Sequence, residues 1–554
     1  MKRRSAIKTE LFADELHRKK IDSLGDPLAA IESHIDFTAL AAEIDRIAPR
    51  PVSTQGGRPP YPTETMVRIL VLKRLYNLSD EQMEYQLLDR MSYKRFCGLS
   101  HAATIPDRTT VWAFEQRIGE AGAQALFDGV STQLLKKGFM ARGGLNVALI
   151  ERGQKPGGKN YFGGAIYTHA IADLVPDFMD RRPPFERPVT EAGFWFLGKD
   201  GLTRMTVQGG ELNADPADAF ITLRANFDPW WAEQAQAAGA FLVPKTTVVD
   251  FIREESGQVT GVLTDRPQGE IHAPVVIICE GVNNILTQKL GLIHRDLEPA
   301  QMALAFKKVI SLPMETINSR FGLADDAHGL AVSVLGDVSL GLPGMGFVYT
   351  NKASVSIGLG VMLDTLAEYR LRPYDVLQRY LDHPAIAPLV KGGQLLEYGA
   401  HLIPEGGYRA MPKLATDGAM VAGDAAAMVN ALHWEGTNMA IIAGKLAGET
   451  ALEAHSRGDF TAKVMSRYED RLSEGFILKD LKQYRGFSRF LETHPQFMDV
   501  YPNFVNGALG QFFTAYGKPK KELFKGMLGS LTNRRGLIKA AGDIVSMARS
   551  VMGW

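Results

Sequence analysis

The sequence predicts a helical module over residues 1–144 followed, from Leu145 on, by a mixed α/β domain with a sizeable antiparallel sheet. Three observations carry that prediction. Apolar residues recur at helical spacing through residue 140, and then the period changes. Alternation of period two follows in "VSVLGDVSL" and, around the turn Thr350-Asn351-Lys352, in "GFVYTNKASVSIGLGV". Helical stretches are interspersed with these strands, as in a mixed α/β protein.

The front elements read in order. "DPLAAIESHIDFTALAAEIDRIA" is helical by spacing, and after "RPPYPTETM" a helix through Val67, Leu70, Val71, Leu75 and Leu78 presents one apolar stripe. Ser79 with Gln82 forms a capping box that opens a helix carrying Met83 and Leu87. "TIPDRTTVWAFEQRI" opens another, with Val111, Phe114 and Ile118 facing inward. Short helices joined by tight turns fit a helix-turn-helix-like module.

Beyond Leu145, "LNVALIERG" reads as the second strand of a dinucleotide-binding unit. Val147, Leu149 and Ile150 are its apolar residues, and Glu151 closes it where such folds place an acid on the ribose hydroxyls. The first strand and its G-x-G-x-x-G turn belong roughly 20 residues earlier. They are not there: "RIGEAGAQALF" offers only Gly119 and Gly122, inside a helical pattern. In "FITLRANFDPWWAEQAQAAGAFLVPKTTVVDF", Arg224 precedes a helix through Phe227, Trp231 and Ala235. Gly239 ends that helix, and a strand through Val248 follows. Arg224 read alone is a solvated cap. "IHAPVVIICEGVNNILTQKLG" runs a buried strand, Val275–Cys279, into Glu280-Gly281 and a helix. Between strands, Val355, Ile357, Leu359 and Val361 alternate with smaller residues.

"DGAMVAGDAAAMVNALHWEGTNMAIIAGKLAGE" is the most informative stretch. Met420, Val421 and Ala422 form a strand that ends at Gly423-Asp424, where glycine admits a ligand to the backbone and Asp can accept from a sugar-like hydroxyl. Gly436-Thr437-Asn438 then opens a helix carrying Met439, Ile442 and Leu446, whose free N–H groups suit a phosphate or a polarised oxygen. A Gly-Asp pair by itself is also an ordinary helix cap after a strand. His433 and Trp434 either line a ligand or pack structurally.

Composition excludes several classes. The chain has 554 residues with 45% apolar and 22% charged, ordinary for a globular protein with two or three domains. Net charge is zero overall, with 21 Lys+Arg against 18 Asp+Glu in residues 1–144 and 41 against 44 in the rest, so charge makes no case for nucleic acid. Cys97 and Cys279 are too few for an all-cysteine iron–sulfur cluster, a four-cysteine zinc site or a disulfide framework. The opening "MKRRSAIKTELFADELHRKK" lacks the apolar core of a secretory signal, and no apolar run approaches a spanning helix. The C-terminal "LIKAAGDIVSMARSVMGW" is amphipathic; core or partner packing is its expected use, membrane attachment the alternative.

In series, "LIERGQKPGGKNYFGGAIY", "LRANFDPWWAEQAQAAGA", "CEGVNNILTQKLG", "GFVYTNKASVSIGLG", "HLIPEGGYRAMPKLATDGAMVAGDAA" and "HWEGTNMAIIAGKLAGE" resemble the FixC-type electron-transfer-flavoprotein:quinone oxidoreductase family across residues 145–554. The resemblance implies a Rossmann-like FAD domain, here lacking its first strand, plus an antiparallel-sheet substrate domain. It implies electrons taken from an electron transfer flavoprotein and passed to quinone or, in nitrogen fixers, toward a ferredoxin-like partner. By position it places Glu151 and Arg152 on the adenosine ribose side and Arg224, Val248 and Gly281 beside FAD. Gly423 and Asp424 fall on the ribityl–pyrophosphate region, and Gly436, Thr437 and Asn438 at the flavin pyrimidine edge. Catalytic residues remain unassigned, and no metal is implied: no cysteine follows Cys279, so the likeness is to the cluster-free type. The expected location is the cytoplasm, peripheral to the inner face of the membrane.

Residues 1–144 resemble instead the N-terminal domain of DDE-class insertion-sequence transposases, in "GGRPPYPTETMVRILVLKRLYNLSDEQMEYQLLDRMSYKRFCGLS", "IPDRTTVWAFEQRIGE" and "GVSTQLLKKGFMARGG". That implies an all-α DNA-binding domain, with Arg108, Thr109 and Arg117 placed to meet phosphates. The strand that would carry the first catalytic aspartate is replaced by "LNVALIERG". The chain therefore reads as a fusion at Gly144–Leu145. Three readings compete: a flavin oxidoreductase with damaged FAD binding, a DNA-binding remnant without transposition chemistry, and a hybrid reading frame with no joint function.

Overall fold

The computed structural model describes residues 27–49, 59–76, 78–136, 145–160, 163–293, 298–430, 432–433, 435–514, 517 and 519–552. The Gly144 side of the expected seam lies outside the described residues. Contacts divide the chain into two compact units, Met1–Leu149 with Ala235–Phe241, and Ile150–Gln234 with Leu242–Trp554.

In the first unit the described residues from 27 to 136 form helices: Pro27–His34, Phe37–Ile47, Thr63–Leu75, Asp80–Asp89, Met91–Phe96 and Arg108–Lys136. Local chemistry explains their starts. Asp36 accepts from the Ala39 N–H, and Ser79 and Gln82 close the capping box reciprocally. Asp107 takes the Thr110 N–H. Val67, Met83, Leu87 and Val111 are fully buried in one cluster with Leu70, Phe114 and Ile118. Leu75 departs from the expected stripe: it is 54% exposed at the last turn of its helix, and the inward side is held by Ile69 and Leu72 instead.

The second unit is built on sheets. A mixed nine-stranded sheet uses β2 (Gly164–Tyr167), β3 (Phe185–Leu197), β4 (Leu202–Gln208) and β5 (Ala219–Thr222). It continues with β11 (Met302–Ser311), β12 (Gly329–Gly336), β13 (Gly344–Thr350), β14 (Ser354–Met362) and β15 (Gln394–Pro404). Its order is β15-β11-β14-β13-β12-β3-β5-β2, with β4 on β3; β12 and β3 run parallel and the other pairs antiparallel. The expected hairpin forms, with Thr350 opposite Val355, and Val355, Ile357, Leu359 and Val361 fill the core. "VSVLGDVSL" is a strand only as far as Gly336. That glycine sits at φ +109°, and an added Cβ would fall 2.1 Å from the Leu197 carbonyl oxygen, so the chain turns there. In the helix Arg224–Ala237 the buried tryptophan is Trp230 rather than the expected Trp231. Of the two uses expected for the C-terminal helix Leu537–Met552, core or partner packing, the first is not met by its apolar stripe: Ile538, Ile544 and Val545 are exposed.

The dinucleotide-type sheet is broken. β1 (Ala148–Ile150) pairs only with β6 (Phe241–Val243), while β10 (Val276–Ile278) forms a separate three-stranded sheet with β17 (Ala419–Val421) and β16 (Ala415–Thr416). A further antiparallel sheet joins β7 (Val248–Arg253), β8 (Val259–Thr264) and β9 (Glu270–His272). β10 runs parallel to β17; the Val276 N–H donates to Gly418 and the Ile278 carbonyl accepts from Ala422. Parallel pairing turns the intervening Ile277 peptide groups the other way. Among the described residues no strand lies on that edge, and Ile277 is 36% exposed. An unpaired edge at β10 is what a lost first strand leaves behind.

Candidate functional site

Three segments of the second unit converge: the turn after β17, the start of helix Arg224–Ala237 and the start of helix Thr437–Arg457. Gly423 adopts φ +68° against Ala440, whose Cβ would lie 3.3 Å from an added Cβ. Glycine here answers both the left-handed backbone and the close helix. Arg224 is gripped by Asp228 and its Nη1 donates to Thr437 Oγ1 at 3.4 Å. Gly157, at φ +72°, packs its backbone on this helix start, where a Cβ would lie 2.9 Å from the Arg224 carbonyl oxygen. Asn160 Nδ2 donates to Asp228 at 3.3 Å. The segment after Glu151 is thereby tied to Arg224.

Sequence reasoning missed two acid–base groups of this cluster. His401 on β15 interacts with Asp424 and Arg224; burial pushes its imidazole below the ordinary value, Asp424 opposes that and Arg224 adds to it. Burial first, with the like charge of Asp424 adding to it, pushes the Glu405 carboxyl up to about 7. Asp424 is itself raised, by burial first, with His401 and Arg224 opposing. Both missed residues stand in "HLIPEGG", a stretch that carried family likeness but no spacing signal. Lys307 was missed too: fully buried on β11, it is pushed down to about 8 by burial while Glu397 opposes.

A pH prediction follows from Glu405. Its folded value lies above its ordinary 4.5. The stability contribution of the neutral acid is thus full below the ordinary value and lost as pH rises through the folded one. Glu405→Gln is expected to flatten the melting-temperature profile across that window and to stabilise by about 2 kcal/mol at mildly alkaline pH. Parallel profiles for the two proteins would show that the carboxyl is solvated.

The remaining expected residues sit as follows. Asn438 is 1% exposed and its Oδ1 has no hydrogen-bond partner. Asn430 Nδ2 and Thr222 Oγ1 are also buried without partners. Gly436 is the residue before the Thr437 helix. The Glu151 carboxylate folds back onto the Gly153 N–H, while its backbone N–H donates to Val243 at 2.9 Å. Arg152 is exposed. Val248 starts β7 against Thr264, and Gly281, at φ +77°, meets nothing within 4 Å of an added Cβ. Val248 packs against the apolar cluster that holds Val421, Ala422 and Ala425. Beside Gly281, the Glu280 carboxylate accepts from the Leu286 and Thr287 N–H groups at 2.8 and 2.7 Å, a helix-capping role. His433 is exposed and sets its ring edge-on to Tyr484 at 5.2 Å; Trp434 lies outside the described residues. In the first unit, Arg108 pairs with Glu81, Arg117 lies 3.6 Å from Asp45 and over the Phe114 ring, and Thr109 is exposed.

No helix of the described residues is long and apolar enough to cross a membrane, and no group of three or more His, Cys, Asp or Glu among them is arranged to hold a metal.

Comparison with known proteins matches both parts of the chain. A transposase domain (DUF772) model matches residues 15–117. The ubiquinone-binding model of ETF-QO matches residues 328–403, and the ETF-QO/FixC family C-terminal domain model residues 487–552. Protein FixC of Azorhizobium caulinodans is 38% identical over 413 residues, covering 74% of this chain and 94% of that protein. Protein FixC of Azotobacter vinelandii is 37% identical over 413 residues, covering 74% and 95%. Among solved structures, a geranylgeranyl bacteriochlorophyll reductase-like protein of Thermoplasma acidophilum superposes with a TM-score of 0.55 at 18% identity, over 72% of this chain and 92% of that one. That likeness concerns fold alone. With relatives matched over nearly their whole length at this identity, the chain belongs to the ETF-QO/FixC family, with a transposase-type domain at its front.

Proposed function

We propose that residues 145–554 form a FAD-dependent oxidoreductase domain that takes electrons from an electron transfer flavoprotein and delivers them to a quinone or a ferredoxin-like acceptor, with FAD binding weakened by the lost first strand. The observation that carries this reading is the coexistence of the Arg224–Asp424–Thr437 cluster with a parallel sheet left open at β10. The domain division at Gly144–Leu145 belongs to the same reading.

The residues present fit one end of FAD. The buried, unpartnered Asn438 amide oxygen and the N–H groups opening the Thr437–Arg457 helix suit the polar edge of a flavin ring. Asp424 beside Gly423 suits a ribityl hydroxyl. The other end does not fit: the described residues offer no glycine-rich turn between a strand on β10 and a helix, so the pyrophosphate lacks its usual backbone cradle. FAD, when bound, supplies the electron-carrying chemistry. The decisive experiment is the absorption spectrum of the purified protein, followed by FAD titration.

The quinone arm of this reading sets the protein at the inner face of the membrane. The DNA-binding reading of residues 1–144 is the weaker one, because Arg108 and Arg117 each face a carboxylate and only Thr109 is left exposed without one. Purified protein with Mg²⁺ is expected to show no strand cleavage or transfer on a terminal-repeat duplex, since the strand bearing the first catalytic aspartate is replaced. Detectable cleaved product would overturn that expectation.

A further inference from the structure

We infer that the C-terminal helices form a docking surface for an anionic lipid bilayer. The inference deepens the membrane-peripheral part of the proposed function and is independent of its flavin part. The helix Leu537–Met552 is inverted for a globular protein. Its buried positions are Ala540 and Asp543, and Asp543 is held there by Arg535 at 2.7 Å and by the Tyr501 hydroxyl at 2.6 Å. At 100° per residue, Ile538, Ala541, Val545 and Met552 fall on the opposite side. All four are exposed, and Ile538 is 90% so. A surface helix ordinarily buries its apolar stripe; this one turns its carboxylate in and its stripe out.

The apolar surface extends beyond that helix. Phe513 ends the helix Val500–Phe513 at 80% exposure. Phe512 touches it edge-on at 5.0 Å and Phe524 of the helix Lys520–Arg534 lies 6.1 Å from Phe512; both are exposed. Charge decides the occupant. Residues 514–554 carry eight Lys and Arg against two acidic residues, in a chain of zero net charge. One of the two acids, Asp543, is buried against Arg535. Lys521, Lys525, Arg534, Lys539 and Arg549 are exposed around the apolar residues. Apolar side chains flanked by cations match acyl chains beneath anionic headgroups. A second copy of the same face would bring like charges together, and an acidic protein surface gives no partner to Ile538 and Phe513.

The test is co-sedimentation of the full chain with phosphatidylcholine vesicles, with and without phosphatidylglycerol, at low and high salt. Pelleting only with phosphatidylglycerol, and release by salt, are expected. Ile538→Asp with Val545→Asp is expected to cut binding about tenfold or more. Lys521→Ala and Lys525→Ala are each expected to cut it about fivefold. Unchanged circular dichroism shows that the variants fold. Salt-insensitive pelleting, or undiminished pelleting of the double aspartate variant, overturns the inference. So does wild-type protein that stays in solution but dimerises through Ile538 in sedimentation velocity, because the face is then a self-interface. FAD titration reads the flavin proposal separately: vesicle binding without flavin binding sinks only that proposal.

Discussion

Apo protein titrated with FAD is expected to bind it, but with a midpoint in the micromolar range. The cluster that remains supplies the Asp424 carboxyl, the Thr437–Arg457 helix start and Arg224, linked to Thr437 at 3.4 Å. Among the described residues no glycine-rich turn offers the pyrophosphate a backbone cradle, and β10 is an edge strand where the proposed reading sets the strand leading into it. Charge-assisted and backbone contacts to a phosphate are each worth on the order of 1.5–3 kcal/mol. Losing two of them lowers affinity by roughly two to four decades, at tenfold per 1.4 kcal/mol. A nanomolar binder then falls toward micromolar. Asp424→Ala is expected to abolish what remains, because it removes the ribityl-side anchor. Quenching of flavin fluorescence reads both proteins. Tight stoichiometric binding by the wild type would mean that another segment supplies the phosphate site; an unchanged titration for Asp424→Ala would remove Gly423-Asp424 from the flavin site.

The helical front and the β13–β14 hairpin were legible because their signals are local. The Ser79–Gln82 capping box and the alternation Val355, Ile357, Leu359, Val361 each complete themselves within a few residues. The sequence itself carries a strand at 148–150 with no G-x-G-x-x-G before it, and among the described residues β10 is an edge strand. What the sequence hid depends on long-range pairing. His401 and Glu405 reach the Asp424 cluster because β15 pairs along β11, and no spacing in "HLIPEGG" announces that. The parallel β12–β3 pair, 140 residues apart at Gly329 and Val189, is hidden for the same reason. Leu75 and Ile538 show the converse failure. Each fits an apolar stripe by spacing, yet the stripe gives no account of whether a neighbour covers that turn.

Arg187 carries the largest expected loss of stability. Nothing in "FERPV" marks it, yet it is fully buried on β3 and gathers two loops and the helix Met314–Phe321. Its Nε donates to the Asn351 carbonyl at 2.9 Å. Its Nη1 donates to Asn318 Oδ1 at 2.8 Å and to the Asp325 and His328 carbonyls at 2.7 and 2.9 Å. One planar fork thus ties the β13–β14 turn and the segment before β12 to β3. Burial pushes the guanidinium below its ordinary value, while Asp326, Asp325 and Glu186 nearby favour the charge. The cation is held mainly by neutral oxygens, a geometry that a compact ammonium reproduces poorly. Arg187→Met keeps the aliphatic volume but leaves four oxygens without their donor, the Asn351 carbonyl among them in a buried bond. Each buried acceptor left bare costs about 1–3 kcal/mol, and relaxation of the loops recovers part of the sum. A loss of about 3–5 kcal/mol is therefore expected, near the upper end for a single substitution. Arg187→Lys is expected to fall between the two, since it keeps the charge and loses the fork. Urea denaturation followed by near-ultraviolet circular dichroism measures all three proteins. A loss below about 1 kcal/mol for Arg187→Met would show that the loops solvate their own carbonyls once the fork is gone, and would place the hold on β12 in the apolar contacts of Leu330 and Val332 instead.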